Sequence, residues 1–270
     1  MILQAESIQL FVKPCVHWVI LNDPIVDLSF WQDALSPYYT NHTLKFLIAD
    51  WGRYKSATGW DPFNEWTGWR IQQLYKLLIS KYVDDDYIVL DSKNFFIKSC
   101  STEDWRGVVG NGNMLDIKHP VGFTKFKVYW NTIKIYAERL GCPAPKKHLA
   151  MSTPFVFDIS LMKQIPNIDE IVFWINNHPT KPCEFLFYST LAQHTGLFAA
   201  NTFVPSNMHI TFWPTSPAPA TYLTAQEWTN DITVSGLHRD YLLKLNHNDI
   251  DQLNQWLSTL GFTNNIEYNI

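Results

Sequence analysis

The sequence predicts an α/β fold in which helices flank a mostly parallel sheet. Three short apolar runs, residues 16–21, 44–49 and 87–90, are each followed by a turn or an aspartate, as buried strands are. Residues 66–80 lie between the second and third runs and carry apolar side chains at helical spacing, which indicates an amphipathic helix. Strands that alternate with helices are typical of a parallel sheet covered on its faces.

The remaining elements follow from local signals along the chain. A helix over residues 6–11 should end near Pro14, because proline does not continue a helix. Residues 101–122 are rich in Gly, Asn and Asp, and residues 205–219 in Pro, Ser and Thr, so both segments are expected to be irregular. Further helices are predicted over residues 123–140 (ended by Gly141), 168–176, 184–194 and 249–260. The last three make the C-terminal part of the chain the more helical one.

Composition limits the class of protein and its expected location. The chain has 270 residues, 46% of them hydrophobic and 17% charged, which suits one globular domain. Its net charge of −4 gives no overall attraction to nucleic acid, which argues against general binding of DNA or RNA. Four well-separated cysteines, no signal peptide and no apolar run of about 18 residues predict a cytoplasmic protein without a transmembrane segment. Peripheral contact with a membrane stays open.

Aspartates at predicted strand ends form the first candidate site. Ligands of parallel sheets bind beyond the carboxyl ends of the strands, where Asp23, Asp50 and Asp91 are expected. Asp91 could hold a divalent cation there or accept hydrogen bonds from a ribose. Capping of the following turn is an equally good interpretation of Asp91. Lys93 could bind phosphate as a point charge, whereas the acidic run at residues 84–86 is expected to be a solvated loop.

Four further residues carry polar chemistry. Gln73 and Lys76 share a helix face that could meet phosphate, although a solvated helix surface is slightly favoured. Glu184 opens a predicted helix, where an acid is favourable, and it could also deprotonate an acceptor hydroxyl as a general base. His238 could bind a cation or phosphate, although a lone histidine is more often structural. The sequence contains no HExxH, GxSxG, P-loop or GxGxxG motif. These motifs mark zinc hydrolases, serine hydrolases, NTPases and Rossmann dehydrogenases respectively, so those functions lack their sequence markers.

Residues 68–99, GWRIQQLYKLLISKYVDDDYIVLDSKNFFIKS, resemble a family of bacterial and phage proteins described as glycosyltransferases of the GT-A type. That family has a helix with a Gln-Gln/Lys-Leu pattern, followed by a strand that ends in Leu-Asp-Ser/Ala-Asp/Lys. Three later segments are similar in the same order: STPFVF at residues 152–157, EFLFY at 184–188 and LHR at 237–239. The resemblance covers residues 6–245.

The resemblance implies a role for each matching residue. Asp91 would be catalytic and the first acid of a DxD-like motif, with His238 as a second ligand of Mn²⁺ or Mg²⁺. Thr153 and Pro154 would line the site of the acceptor, a glycan or lipid-linked molecule, and Glu184 would supply acid/base catalysis. The nucleotide-sugar donor would contact Asp23, Gln73, Lys76, Asp91, Lys93 and Asn94.

The resemblance also implies a GT-A-like fold from which the chain departs in two places. Residues 1–145 would form the donor-binding half, and residues 146–270 the acceptor half with the C-terminal helices. Lys93 stands where the second acid of a DxD motif is expected, so its charge would replace a cation or make the site metal-independent. The chain opens at about the first helix, without the strand with which GT-A domains begin.

Three functions are compatible with the sequence. The first is transfer of a sugar from a nucleotide diphosphate to a hydroxyl group of a glycan, lipid or small molecule. The second is non-catalytic binding of a glycan or nucleotide on the same fold, which Lys93 and the missing strand favour. The third and weakest is nucleotidyl transfer, which also uses acids at strand ends.

Overall fold

The structure is a computed structural model that describes residues 1–23, 25–53, 65–105, 108, 110, 114–116, 123–145, 147–178, 183–196, 209–219 and 232–267. Within these residues, helices α1 to α9 span Ile2–Phe11, Leu28–Leu35, Glu65–Leu78, Phe123–Leu140, Ile159–Met162, Ile168–Asn177, Glu184–His194, Arg239–Leu242 and His247–Thr259. Strands β1 to β9 span Val16–Leu21, Thr43–Ile48, Tyr87–Val89, Asn94–Phe96, Met114–Asp116, Lys147–Leu149, Phe155–Phe157, His209–Phe212 and Val234–Leu237. The fold is mixed α/β, as the sequence predicts.

The prediction of a mostly parallel sheet is wrong for the described residues. Their strands form four small sheets, ordered β1-β2, β3-β7, β4-β9-β8 and β5-β6. The β1-β2 and β8-β9 pairs are parallel, whereas the β3-β7, β4-β9 and β5-β6 pairs are antiparallel. Periodicity does not distinguish these arrangements, because a strand buried on both faces is apolar throughout in either orientation.

Two consecutive strands, β3 and β4, pair with distant parts of the chain. Tyr87 in β3 lies opposite Phe157 in β7, and Asn94 in β4 lies opposite Gly236 in β9. The turn between β3 and β4 therefore lies where strands from both predicted halves of the chain meet. This turn contains Asp91.

Most helix predictions are confirmed, and the ends of the helices have local causes. Gly141 and Gly196 follow α4 and α7 with φ angles of 67° and 79°, the left-handed conformation that glycine adopts without strain. At the start of α9, Asn246 and Asp249 form a capping box in which each side chain accepts from the other residue's backbone N–H.

Two segments predicted to be irregular contain regular structure. Residues 101–122 include a 3-10 turn at Thr102–Trp105 and strand β5, and residues 205–219 include strand β8. The remaining parts of these segments at 106–107, 109, 111–113, 117–122 and 205–208 lie outside the described residues. Both strands are short, and tertiary pairing with β6 and β9 decides their conformation against a composition typical of loops.

Helix α7 lies in the interior and carries Glu184 at its first position. Every residue from 184 to 192 is buried, and the helix packs against α3, α4 and β6. The Phe185 ring lies 4.4 Å from that of Phe155, and Tyr188 lies 4.8 Å from Phe157, between ring centroids. These contacts bind α7 to β7 through aromatic packing.

None of the described helices combines the length and the apolar character that crossing a bilayer requires.

Candidate functional site

Helix α3 directs two polar side chains into the protein interior. Gln73 and Lys76 are three residues apart and share one face, and both are buried. The Nζ atom of Lys76 lies 2.8 Å from Oδ1 of Asp91 and 3.1 Å from Oε1 of Glu184. The predicted helix face is therefore not solvated: it places an ammonium group between two carboxylates.

The turn that carries Asp91 is held by a residue from the first helix. The side-chain amide of Gln4 donates to the backbone carbonyls of Asp91 and Asn94, each at 2.9 Å. Asn94 closes the turn, because its Oδ1 accepts from the backbone N–H of Asp91 at 2.9 Å. The sequence alone does not single out Gln4, because helix α1 also carries Glu6, Ser7 and Gln9.

Asp91 itself is paired through both carboxylate oxygens. Lys76 donates to Oδ1, and Lys93 donates to Oδ2 from two residues further along the chain. The Asp91 side chain is 23% exposed and that of Lys93 is 19% exposed, whereas that of Lys76 is 6% exposed. We call Lys76, Asp91, Lys93 and Glu184 the ion cluster; it extends from the core to a partly exposed edge.

Glu184 forms the buried end of the ion cluster. The side-chain amide of Gln73 is oriented with its nitrogen toward Glu184, since the opposite orientation would face an amide oxygen to carboxylate oxygens. In that orientation Gln73 donates to Oε1 of Glu184 at 2.8 Å. Because the Glu184 side chain has no exposed surface, an acceptor hydroxyl does not reach it in this conformation. The general-base role of Glu184 stays a prediction.

Burial and ion pairing oppose each other within the cluster. Burial alone would raise the pKa of Asp91, but Lys76 and Lys93 hold this pKa well below its usual value. Burial alone would lower the pKa of Lys76, but Glu184 and Asp91 raise it above its usual value. Burial raises the pKa of Glu184 against the opposing effect of Lys76. Donation from Gln73 and Lys76 favours the ionised form of Glu184, so all three groups are best described as charged.

Thr153 and Pro154 lie inside the protein beside the Asp91 turn. The Thr153 hydroxyl donates to Oδ1 of Asn94 at 2.6 Å, and the Thr153–Pro154 peptide bond is cis. Both residues are buried. In this conformation Thr153 hydrogen-bonds to Asn94 and does not face solvent. The contact of Thr153 and Pro154 with an acceptor stays a prediction. Gly236 completes the packing, since a Cβ at that position would lie 2.9 Å from Nδ2 of Asn94.

The exposed edge of the ion cluster is formed by an aromatic ring and a histidine. Nζ of Lys93 lies 5.8 Å from the centroid of the Trp213 ring, and that ring lies 5.1 Å from the His238 ring. Trp213 is 45% exposed. His238 is the N-cap of α8, where its Nδ1 accepts from the backbone N–H of Asp240 at 3.2 Å. Trp213 is not singled out by the sequence, because it lies in a segment predicted to be irregular.

Asp23 and Asp50 do not join this group in the described part of the chain. Asp23 is exposed and accepts from the backbone N–H of Ile25, and Asp50 accepts from that of Arg53. Both therefore cap turns beyond the β1-β2 sheet, while Asp91 follows a strand of another sheet. The sequence predicts that the three aspartates share one ligand-binding edge of a continuous sheet. The described strands form separate small sheets, so that common edge is absent among them.

The acidic run at residues 84–86 is exposed, as predicted. Asp84 pairs with Lys163 at 3.1 Å on the surface, and Asp86 accepts from the backbone N–H of Ile159 at 2.9 Å. These three acids are therefore surface groups, distinct from the ion cluster.

The residues around Asp91 do not fit the divalent cation that a DxD-like site implies. Each carboxylate oxygen of Asp91 already accepts from a lysine ammonium group, and these positive charges would repel a cation at the same place. His238 uses Nδ1 as a helix cap, and no cluster of three or more His, Cys, Asp or Glu side chains suited to a metal ion occurs among the described residues. The cluster instead offers Lys93, whose side chain is partly exposed, beside the exposed indole of Trp213.

Comparison with known proteins found no protein-family model that matches the chain and no curated protein similar to it.

Proposed function

We propose that the protein is a glycosyltransferase that moves a sugar from a nucleotide-diphosphate donor to a hydroxyl group of a glycan, lipid or small molecule. The observation that carries this proposal is the fixed position of Asp91 beside Lys93 and Trp213. A transferase of this kind needs an acceptor for sugar or ribose hydroxyls, a positive charge for the leaving diphosphate and a face on which a ring stacks. These three groups meet at the partly exposed edge of the ion cluster.

The role of each residue follows from its partners. Gln4 and Asn94 hold the Asp91 turn, so the Asp91 carboxylate enters the reaction already oriented. Lys93 would donate to a phosphate oxygen and stabilise the negative charge that develops on the diphosphate. Gln73 and Glu184 would act as positioning residues, because Gln73 holds Glu184, and Glu184 holds Lys76 and through it Asp91.

A GT-A-like arrangement of the first half belongs to the same proposal. Support comes from the parallel β1-β2 pair, followed by helix α3 and by strand β3 with Asp91 beyond its end. A cytoplasmic location is also proposed, and it is supported by the four cysteines, all of which carry free thiols.

A thermal-shift screen with UDP-, GDP- and CMP-sugars tests this function. We expect one donor to raise the Tm of the wild-type protein, because a ligand that binds only the folded state stabilises it. Asp91→Asn should abolish the shift and lower transfer by roughly a hundredfold, while Asp84→Asn, an exposed acid of the same type, should change neither. If every donor leaves the Tm of the wild-type protein unchanged, the proposal is wrong.

A second function, non-catalytic binding of a glycan or nucleotide, is favoured by one observation. Glu184 is the predicted acid/base residue, yet its side chain has no exposed surface. Turnover separates the two functions: a donor that shifts the Tm but is neither hydrolysed nor transferred to any acceptor indicates a binding protein.

A further inference from the structure

Lys93 occupies a position in which a second acid would make a cation site. Its ammonium group donates to Oδ2 of Asp91, while Lys76 donates to Oδ1 from the core side. Of these two lysines, Lys93 is the more exposed and lies over the Trp213 ring. Asp91 is thus paired with two cations that the chain itself supplies, of which Lys76 is shared with Glu184.

Such an arrangement suits an anionic ligand. The Lys93 ammonium group has three N–H donors, so pairing with one carboxylate oxygen leaves donors for a further acceptor. Asp91 repels an incoming anion weakly, because its charge is shared between two ammonium groups. Trp213 and His238 border the same edge, and both are partly exposed.

We propose that Lys93 supplies the positive charge of this site, so that the site binds the diphosphate group of its ligand without a divalent metal ion. This inference rests on the proposed function for the identity of the ligand, but its two tests use Mn²⁺ alone and inorganic pyrophosphate alone. Lys93 would contact a phosphate oxygen directly, and Lys76 would hold Asp91 in place from behind.

The first test measures Mn²⁺ binding by titration calorimetry without any nucleotide. The wild-type protein should show no stoichiometric Mn²⁺ site. Lys93→Asp places two acids two residues apart and should create a stoichiometric Mn²⁺ site that the wild-type protein lacks. Lys147→Asp, the same charge reversal at an exposed position in β6, should behave as wild type. A wild-type Mn²⁺ site that Asp91→Asn removes, or a folded Lys93→Asp protein that binds no Mn²⁺, overturns the proposal.

The second test measures pyrophosphate binding in EDTA and in Mn²⁺. The wild-type Kd should be the same in both, and Lys93→Met, which keeps the apolar stem, should weaken binding at least tenfold. Lys147→Met should leave the Kd unchanged. Loss of wild-type binding in EDTA, no wild-type binding at all, or an unchanged Kd in Lys93→Met contradicts the proposal.

The two proposals fail in different ways. Metal-independent pyrophosphate binding at Lys93 without turnover of any nucleotide sugar keeps this inference and removes the transferase. Turnover of a nucleotide sugar that requires Mn²⁺ keeps the transferase and removes this inference.

Discussion

The Nζ atom of Lys76 lies 2.8 Å from Oδ1 of Asp91, and this ion pair joins the last turn of α3 to the turn between β3 and β4. The same ammonium group lies 3.1 Å from Oε1 of Glu184 at the start of α7. One lysine therefore connects its own helix to a turn 15 residues further on and to the distant start of α7. This lysine stabilises the charged form of both carboxylates, and Lys93 adds to its effect on Asp91.

Lys76→Met should destabilise the protein strongly. Methionine fills a similar volume but leaves Asp91 and Glu184 without their shared cation, and breaking a buried ion pair from one side costs about 3–5 kcal/mol. Urea unfolding at neutral pH measures the loss.

The matched control is Lys81→Met. Lys81 pairs with Asp169 near the end of the same helix, but its side chain is partly exposed, so its removal should cost less than about 1 kcal/mol. Glu184→Gln combined with Lys76→Met should recover part of the loss, because one buried charge disappears. An equal cost for Lys76→Met and Lys81→Met would show that the ion cluster is not coupled to folding.

Thr153→Val tests the support of the Asp91 turn. Valine keeps the shape of threonine but removes the hydroxyl that donates to Oδ1 of Asn94 at 2.6 Å. The loss of one buried hydrogen bond should cost about 1–2 kcal/mol in unfolding free energy, measured by denaturant titration. Thr259→Val, at an exposed position in α9, should stay within about 0.5 kcal/mol of wild type. No difference between the two variants would contradict a supporting role for Thr153.

Gly236→Ala tests how closely β9 approaches Asn94. The new Cβ would lie 2.9 Å from Nδ2 of Asn94 and 2.9 Å from Oγ1 of Thr211, so both side chains would have to move. Overpacking of this kind costs about 1–3 kcal/mol. Gly68→Ala in α3 is the control, because the nearest atom to its Cβ would be 3.9 Å away. It should stabilise the helix by about 0.5–1 kcal/mol, and a Gly236→Ala protein as stable as this control would contradict the packing.

The local parts of the candidate site could be predicted from the sequence. Gln73 and Lys76 share a face because helical spacing fixes their direction, and Asp91 lies beyond a buried strand because the apolar run ends there. Glu184 was predicted to open a helix, and it does. Its burial also has a sequence signal: the ten residues of α7 after Glu184 contain no acid, Lys or Arg, as expected of a buried helix.

The non-local parts could not be predicted. Thr153 meets Asn94 because β7 and β9 pair with the two strands on either side of the Asp91 turn. Gln4 reaches the turn from 87 residues away. Strand partners at such separations are set by packing of the whole chain, and hydrophobic periodicity carries no information about them.

His17 gives a prediction about pH that is independent of the ion cluster. Its Nδ1 contacts the hydroxyl of Tyr39, and the neighbouring His42 ring and Cys15 thiol lie within 3.4 Å of each other. Burial, with a smaller effect of His42, lowers the pKa of His17 to about 4 from a usual value of 6.5. The unfolded chain therefore takes up a proton between these two values that the folded protein does not.

Stability should accordingly fall as the pH falls from 6.5 to 4, by up to about 1.4 kcal/mol per pH unit from this residue. Urea unfolding at pH 7, 6 and 5 measures the slope, and His17→Gln should reduce it because glutamine does not titrate. Groups that do not interact with His17 contribute equally to both proteins, so the difference between the slopes reports on His17 together with its smaller coupling to His42. Thr259→Val, an exposed substitution that removes no titratable group, should keep the wild-type slope. If His17→Gln keeps that slope as well, the folded protein takes up the proton on His17 as readily as the unfolded chain does.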